Sequence, residues 1–314
     1  MIQIQNNIPL ADKNWFRTGG PARFYCEPTT AQEYAQALQF AKEHDVEIFV
    51  LGQGANILVS DAGFDGLVIR PQLLDITLRD ISSTSVFVQA GAGVPFEKLI
   101  IFCLENNLIG LEEFSGIPGT VGGSVFINIH YFEFLLDQFL VSAQIIHKIT
   151  GEVLTVDRTW FNFGYNTSAL HDQPYYLVTA TFKLNKVSPI ESAYARGRSS
   201  EIIRHRTKRY PNSGTCGSFF RNFLEHEAVH ARGGKNLIFV AYYLDQIGVK
   251  GQLTCGDAVV SYQHANMLVN KGAATTQDII TLARTMQELV QQHFDIIPVP
   301  ECRLVGFKEY PLLK

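Results

Sequence analysis

The chain has 314 residues, 46% of them hydrophobic and 18% charged, which is typical of a folded globular protein and excludes a disordered one. This length allows two domains of ordinary size. The formal net charge of −4 at pH 7 excludes a protein that is basic as a whole, so any polyanion would have to bind to a local basic patch.

The N-terminal residues carry neither a basic segment nor the apolar core of a signal peptide, and no apolar run is long enough to span a membrane. The five cysteines are scattered and include no C-x-x-C pair. We therefore expect reduced thiols, no metal site, no membrane insertion and a cytoplasmic location.

Helical and extended patterns alternate in the first part of the chain. Apolar residues at helical spacing after a Thr cap predict a helix over residues 29–44, and Pro95 at a first turn predicts another over residues 95–107. Strands are predicted at residues 46–59 (interrupted by two glycines), 66–70, 85–94 and, with hairpin-like turns, within 141–184.

The composition changes near residue 185, where we place a boundary between domains 1–185 and 186–314. Residues 186–210 are polar, basic and predicted to be helical as far as Pro211. A helix ending at a glycine is predicted within 236–251, and a short strand at 265–270. The clearest helix covers residues 275–294, with a capping box at its start and an apolar stripe formed by Ile279, Ala283, Met286 and Val290.

Two glycine-rich loops follow predicted strands or turns, "GQGAN" (52–56) and "GIPGTVGG" (116–123). Glycine lets backbone N–H groups approach a ligand closely, and successive N–H groups form a concavity that suits phosphate oxygens. Neither loop has the spacing of a Rossmann fingerprint or of a P-loop. Taken alone, each loop fits either a structural turn or a phosphate site.

The segment "RHRTKRYPNSGTCGSFFRN" (204–222) joins a basic run to a glycine-flanked turn. The run fits a solvated helix face, a nucleic-acid patch or a clamp for a small anion. Nucleic acid is disfavoured because the chain is acidic and only Tyr194 and Tyr210 flank the run. A phosphate-bearing small molecule suits the Lys and Arg side chains better. In the turn, Cys216 fits a buried thiol better than a nucleophile, and a lone Ser218 is by itself no sign of catalysis.

Several motifs, in order along nearly the whole chain, resemble the UDP-N-acetylenolpyruvoylglucosamine reductase family. They are "RTGGPA" (17–22), "LGQGANILVSDAGFDGLVI" (51–69), "GIPGTVGGSVFIN" (116–128), "FGYNTS", "GSFFRN", "GVKGQLTCGDAVVSYQHANMLVN" (248–270) and "PECRLVG" (300–306). The resemblance implies an α+β protein, in which a vanillyl-alcohol-oxidase-type FAD-binding domain of two α+β subdomains precedes an α+β substrate-binding domain.

The resemblance also implies the ligands and the residues that meet them. FAD is the expected cofactor, NADPH the expected reductant and a UDP-sugar the expected substrate, whereas no protein or nucleic-acid partner is inferred. The residues expected to bind FAD are Gly52, Gln53, Gly54, Ala55, Asn56, Ile57, Ser115, Gly116, Ile117, Gly119, Thr120, Gly122 and Gly123. Those expected to bind the substrate are Lys208, Tyr165, Asn222 and Tyr210.

Three positions are expected to be catalytic: Ser218 as proton donor to C2 of the enolpyruvyl group, Glu301 beside the substrate carboxylate, and Asn166. Asn166 departs from the family pattern, which has arginine there, and the bulky "IHYFEF" (129–134) departs from the small residues usual after Asn128. The alternatives are therefore an FAD-binding homologue with reduced or lost activity, or another FAD oxidoreductase of the same fold.

Overall fold

The computed structural model describes residues 1–232 and 235–314. The helices are α1 (Ala31–Glu43), α2 (Phe96–Glu105), α3 (Val121–Phe126), α4 (Pro189–Arg209), α5 (Val240–Gln246) and α6 (Thr276–Phe294). The strands of the first two thirds are β1 (Gln5–Pro9), β2 (Pro21–Cys26), β3 (Glu47–Val50), β4 (Ile57–Val59), β5 (Phe64–Ile69), β6 (Ile76–Arg79), β7 (Ser85–Gly91), β8 (Leu108–Ile109), β9 (His130–Tyr131), β10 (Phe134–Leu135), β11 (Leu140–His147), β12 (Val153–Asp157) and β13 (Tyr175–Lys186). The remaining strands are β14 (Ala231–Arg232), β15 (Lys235–Asn236), β16 (Thr254–Cys255), β17 (Ala258–Val260), β18 (Leu268–Asn270) and β19 (Arg303–Val305).

The chain forms two compact units, each assembled from separate stretches of sequence. The first unit comprises Met1–Asn6, Phe24–Gln53 and Gly66–Arg206, and the second comprises Asn7–Arg23, Gly54–Asp65 and Thr207–Lys314. The predicted functional division into 1–185 and 186–314 stays a prediction.

The largest sheet of the first unit is antiparallel, with strand order β12-β11-β13-β7-β6 and β8 paired to the end of β13. Its register places Ala143 opposite Ala180 and Phe182 opposite Val88. These residues are buried together with apolar side chains of α2 and α3. The helices thus cover one face of the sheet, as the alternating apolar pattern requires.

A smaller core in the first unit lies under α1. Its residues Tyr34, Ala37, Leu38 and Ala41 are the predicted apolar stripe, and they pack against β5 residues such as Leu67. Here β3 and β5 run in parallel, with Glu47 opposite Gly66. The predicted Thr cap is confirmed, because the Thr30 side chain accepts a hydrogen bond from the Glu33 amide.

The second unit surrounds α5 and α6. Its antiparallel strands β16, β17 and β18 form one small sheet, and β19 pairs in parallel with β4. The apolar stripe of α6 is fully buried, and its start carries the predicted capping box between Thr275 and Asp278. Among the described residues, no helix has the length and apolar character needed to cross a membrane.

Most predicted elements are present within a few residues of the expected bounds, but α3 was not predicted. Its sequence, VGGSVF, contains two glycines, each of which disfavours a helix by about 1 kcal/mol relative to alanine. The Thr120 side chain caps the helix, and Val121 and Val125 are buried in the core of the first unit. Tertiary packing therefore overrides a weak local propensity.

Candidate functional site

The glycine-rich loop before α3 runs against neighbouring backbone of the first unit. The amides of Val121 and Gly122 donate to the carbonyls of Val94 and Ala92, each at 2.8 Å. The Gly119 amide donates to the Gln53 side-chain oxygen at 2.9 Å. A Cβ at Gly122 would lie 3.0 Å from the Ala92 carbonyl oxygen, so only glycine fits there without a shift. The loop that was predicted to bind FAD is thus held by backbone contacts.

Helix α4 holds the same loop through its polar side chains. Ser199 and the fully buried Ser115 share a hydrogen bond of 2.7 Å. The Arg198 guanidinium binds both carboxylate oxygens of Glu113, at 2.9 and 2.8 Å. The Arg206 Nε donates to the Gly116 carbonyl at 3.1 Å.

The remaining arginines of α4 with recorded contacts also bind protein groups. Arg196 donates to the Leu104 carbonyl at 3.0 Å, and Arg204 pairs with Glu201 at 2.8 Å. Several arginines of this run therefore contact protein groups, while binding of a small anion by its C-terminal part stays a prediction. At the end of the run, the predicted ligand-binding residue Lys208 is exposed.

The "GQGAN" loop crosses the boundary of the units, and residues 54–56 belong to the second. Gly54 has φ +67°, and a Cβ there would lie 2.5 Å from the Lys13 carbonyl oxygen. Among the described residues, the amide N–H groups of residues 54–56 have no hydrogen-bond acceptor. The Asn56 Oδ1 is also buried without a partner there, and Ile57 is buried in β4.

Tyr165 and Asn166 form the tip of a tight turn in the first unit. Gly164 and Thr167 exchange backbone hydrogen bonds across it, at 3.1 and 3.5 Å. Asn166 has φ +55°, in the left-handed region that asparagine tolerates better than arginine. Its Nδ2 is buried and has no partner among the described residues.

Two anchors connect this turn to the C-terminal end of α3. The Asn128 side chain donates to the Gly164 carbonyl at 3.3 Å and accepts from the Asp137 amide at 3.1 Å. The Ser168 hydroxyl donates to the Phe126 carbonyl at 2.8 Å. The position of Asn166 is therefore set by groups far from it in sequence.

Bulky rings lie beside the turn, where the sequence departs from the family pattern. The ring centroids of His130 and Tyr165 are 5.1 Å apart, and burial lowers the pKa of His130. Tyr165 keeps 48% of its surface exposed. The Arg206 guanidinium lies 5.7 Å from the centroid of Tyr131. His130 is thus a partly buried residue that packs against Tyr165.

Ser218 and Glu301 lie on two segments of the second unit that pair side by side. The amides of Glu301 and Cys302 both donate to the Phe219 carbonyl, at 2.8 and 3.2 Å, and Phe220 is bridged to Pro300. Two residues opposite one is the pattern of a β-bulge, a feature over-represented beside active sites. Both Ser218 and Glu301 are half-buried.

Cys216 is buried, and its thiol is a hydrogen-bond partner of Cys302. The pKa of Cys302 is raised far above its usual value, first by burial and then by the neighbouring Cys216. Because a reactive cysteine needs an accessible thiolate, this pair belongs to the core and not to the chemistry.

The predicted substrate residues Tyr210 and Asn222 are both half-buried in the second unit. The Tyr210 ring meets the His264 ring edge-on at 5.5 Å, and the Gln263 side chain donates to the Lys208 carbonyl at 3.2 Å. The Arg221 guanidinium donates to the Asn222 carbonyl at 2.9 Å.

Arg221 also makes a two-bond contact with Glu227, at 2.8 Å for each bond. These hydrogen bonds are the first cause that lowers the pKa of Glu227 to about 2. The ion pair therefore fixes the backbone that follows Phe220.

Both parts of the chain match known proteins of one family. The family profile of the UDP-N-acetylenolpyruvoylglucosamine reductase C-terminal domain matches residues 209–305, and that of an FAD binding domain matches residues 22–157. A UDP-N-acetylenolpyruvoylglucosamine reductase of Synechococcus sp. (strain JA-3-3Ab) is 33% identical over 99% of this chain and 94% of its own. The enzyme of that name from Latilactobacillus sakei is 32% identical, over 98% and 95%.

The chain belongs to the UDP-N-acetylenolpyruvoylglucosamine reductase family. The crystal structure of the reductase from Thermus caldophilus, 26% identical, covers 97% of this chain and 100% of its own with a TM-score of 0.76. The resemblance, the α+β fold class and the FAD cofactor expected from the sequence are confirmed. The two alternative functions are not favoured by these matches.

The residues of this reductase-family chain fit a flavin nucleotide in each unit taken separately. In the first unit, the buried Ser124 Oγ beside the glycine-rich loop has no partner among the described residues. In the second unit the same holds for Thr18 Oγ1 and for Asn56 Oδ1, whose own backbone amide has no acceptor among the described residues. Buried polar atoms without partners are rare in folded proteins, and a bound flavin nucleotide would offer partners to those beside the two glycine-rich loops.

Asn128 and Asn266 were not among the residues that the sequence predicted for the site. Each is at most 3% exposed. A single polar residue flanked by apolar ones, as in "INI" and "ANML", was the available signal, because a buried amide must find hydrogen-bond partners. Nothing local indicated which backbone each amide would bind.

The first prediction concerns Gly122. We expect Gly122→Ala to raise the dissociation constant of FAD about tenfold, because the added Cβ pushes the loop away from Ala92. Fluorescence titration of the apoprotein with FAD measures this. The matched control is Gly197→Ala on α4, which meets open space and should bind FAD normally. Equal FAD affinity in both variants would contradict the assignment of this loop.

The second prediction concerns pH. Burial is the main cause that lowers the pKa of His264 to about 4, and Arg209 and Lys250 add to it. The unfolded chain therefore binds a proton that the folded chain resists, and stability falls as pH drops from about 6.5 towards 4. The loss should be of the order of 3 kcal/mol. Denaturant titrations should show that His264→Gln lacks this loss and that the exposed His293→Gln keeps it.

Proposed function

We propose that the protein is an NADPH-dependent flavoenzyme that reduces UDP-N-acetylglucosamine enolpyruvate to UDP-N-acetylmuramate, a step of peptidoglycan precursor synthesis. The observation that carries the proposal is the pairing of the Ser218 and Glu301 segments, joined at Phe219. Family membership over nearly the whole chain supports it. Five free cysteines support a cytoplasmic location as part of the proposal.

Bound FAD would supply the redox chemistry, taking a hydride from NADPH and giving it to C3 of the enolpyruvyl group. Every other task falls to the chain. As the hydride arrives at C3, negative charge develops at C2 and spreads into the substrate carboxylate. Ser218 then gives its hydroxyl proton to C2 and regains a proton from solvent.

Glu301 and Asn166 stabilise the negative charge that develops on the substrate. We assign to Glu301 a place beside the substrate carboxylate, where the proximity of a second anion favours a protonated or shared carboxyl. Asn166 offers a neutral donor where the family pattern has a guanidinium, namely its buried Nδ2, which has no partner among the residues that the structure describes. A fixed donor of this kind stabilises charge without reorganisation.

The substrate positions are proposed on the same basis. Lys208 is exposed and suited to the diphosphate as a point charge, and Tyr210 and Asn222 lie on the segments that follow it. Tyr165, half exposed at the tip of its turn, is proposed to meet the enolpyruvyl end. Residues 186–314 would then form the substrate domain and residues 1–185 the FAD domain.

The third prediction tests the proposed reaction directly. Wild-type protein should consume NADPH only when UDP-N-acetylglucosamine enolpyruvate is present. In Ser218→Ala, kcat should fall about 10²–10⁴-fold, because the positioned proton donor is lost. Flavin reduction by NADPH, followed alone in a stopped-flow instrument, should stay unchanged. Absence of substrate-dependent turnover in the wild type would refute the proposed function.

The fourth prediction separates the Asn166 amide from its backbone. Glycine adopts the left-handed conformation freely, so Asn166→Gly removes the side chain without straining the turn. We expect kcat to fall roughly 10²-fold, the effect of losing one preorganised donor. The melting temperature should change little. An Asn166→Gly enzyme with wild-type kcat would show that the amide has no part in catalysis.

A further inference from the structure

The side chain of Asn266 pairs with the backbone of Phe220 as another strand would. Its Nδ2 donates to the Phe220 carbonyl at 2.7 Å, and its Oδ1 accepts from the Phe220 amide at 3.1 Å. The Phe219 amide adds a third bond, to the Asn266 carbonyl at 2.8 Å. Asn266 is 2% exposed, so these bonds form away from water.

Because Asn266 binds Phe220 on one edge, the segment of residues 218–220 is hydrogen-bonded on both of its edges. On the opposite edge, the amides of Glu301 and Cys302 bind the Phe219 carbonyl, and the Arg221 amide donates to the Val299 carbonyl at 2.9 Å. Ser218 directly precedes this segment and follows Gly217, whose φ of +82° makes a sharp change of direction. The backbone position of Ser218 is therefore fixed by the residues on either side of it.

The hydroxyl of Ser218 has no hydrogen bond to another described residue. Nothing bound to its own Oγ aims it, so its location depends on the backbone of residues 218–220. A shift of about 1 Å at a reacting group is enough to lower a rate about 10²-fold. Whatever fixes this backbone therefore controls how well the serine is placed.

We propose that Asn266 is a positioning residue, which fixes Ser218 opposite the Glu301 segment by pairing with the Phe220 backbone. The proposal rests on the proposed function for its catalytic consequence, and on the hydrogen bonds alone for its structural part. Asn266 does not touch the substrate. It acts through the backbone next to Ser218.

The informative change is Asn266→Asp, which keeps the side-chain shape and one acceptor oxygen. The substitution replaces the donor by a carboxylate oxygen facing the Phe220 carbonyl, so that one bond is lost and the two oxygens repel each other. Asn270→Asp is the matched control. Asn270 is also buried, lies on the adjoining strand and donates to a backbone carbonyl, but that carbonyl belongs to Phe16.

The kinetic experiment uses the FAD-loaded enzyme and a double-mutant cycle. We expect Asn266→Asp to lower the rate at which substrate reoxidises the reduced enzyme at least about tenfold, with NADPH oxidation by the resting enzyme unchanged within about twofold. In the Ser218→Ala background, the same change should cost less than about twofold, because its target is already absent. Asn270→Asp should give equal effects in both backgrounds.

A second readout needs no activity. Deuterium exchange at the Phe220 amide, whose acceptor is the Asn266 Oδ1, should become at least about tenfold faster in Asn266→Ala, which removes that acceptor, and should match the wild type in Asn270→Ala. Should Asn266→Asp fail to fold, Asn266→Ala, which removes both side-chain bonds to Phe220 without adding charge, carries the same kinetic expectations.

The outcomes are separable. Equal kinetic losses from Asn266→Asp with and without Ser218 would overturn the inference, and so would unchanged exchange at Phe220. A wild type that turns over no substrate would instead remove the proposed function. In that case the exchange result alone decides whether Asn266 holds the Ser218 segment.

Discussion

The backbone of Phe219 and Phe220 is the constraint on which the candidate site of the second unit depends. Both rings are fully buried, so the apolar core fixes the segment from within, and hydrogen bonds hold its two edges. Polar Ser218 sits at one end of this buried segment. The second unit thus places the Ser218 side chain by rigid surroundings and, among the described residues, not by bonds to the hydroxyl, which is left available to a ligand.

The first unit uses the same principle around the short helix α3. Its capping residue Thr120 lies in the glycine-rich loop, and the carbonyl of its last residue, Phe126, accepts the Ser168 hydroxyl that anchors the Tyr165–Asn166 turn. The arginines of α4 serve this scaffold as well, by binding Glu113 and the Gly116 carbonyl. Arginines near the proposed anion site therefore also have a structural use, and their number in the sequence overstates the positive charge that is left to bind a ligand.

Local signals predicted the parts of the fold that depend on local physics. The caps and apolar stripes of α1 and α6 lie within single helices, and both helices were predicted within two residues. Distant pairings could not be predicted in this way: Asn128 and Gly164 are 36 residues apart, and Phe220 and Asn266 are 46 apart. The site residues themselves were predicted from the family resemblance. The structure adds their burial and contacts, while their roles stay predictions.

At position 166, an arginine would supply a charge, whereas an asparagine fits the backbone geometry of the turn better. The turn requires φ near +55° at this residue, where a long side chain costs roughly 1–2 kcal/mol and asparagine costs less. The amide carries no charge, but its nitrogen is buried and has no partner in the described part of the chain. A preorganised neutral donor in such a place binds an anion without first being desolvated. The anchors at Asn128 and Ser168 supply that preorganisation. The departure from arginine is therefore compatible with an active site that relies on position more than on charge.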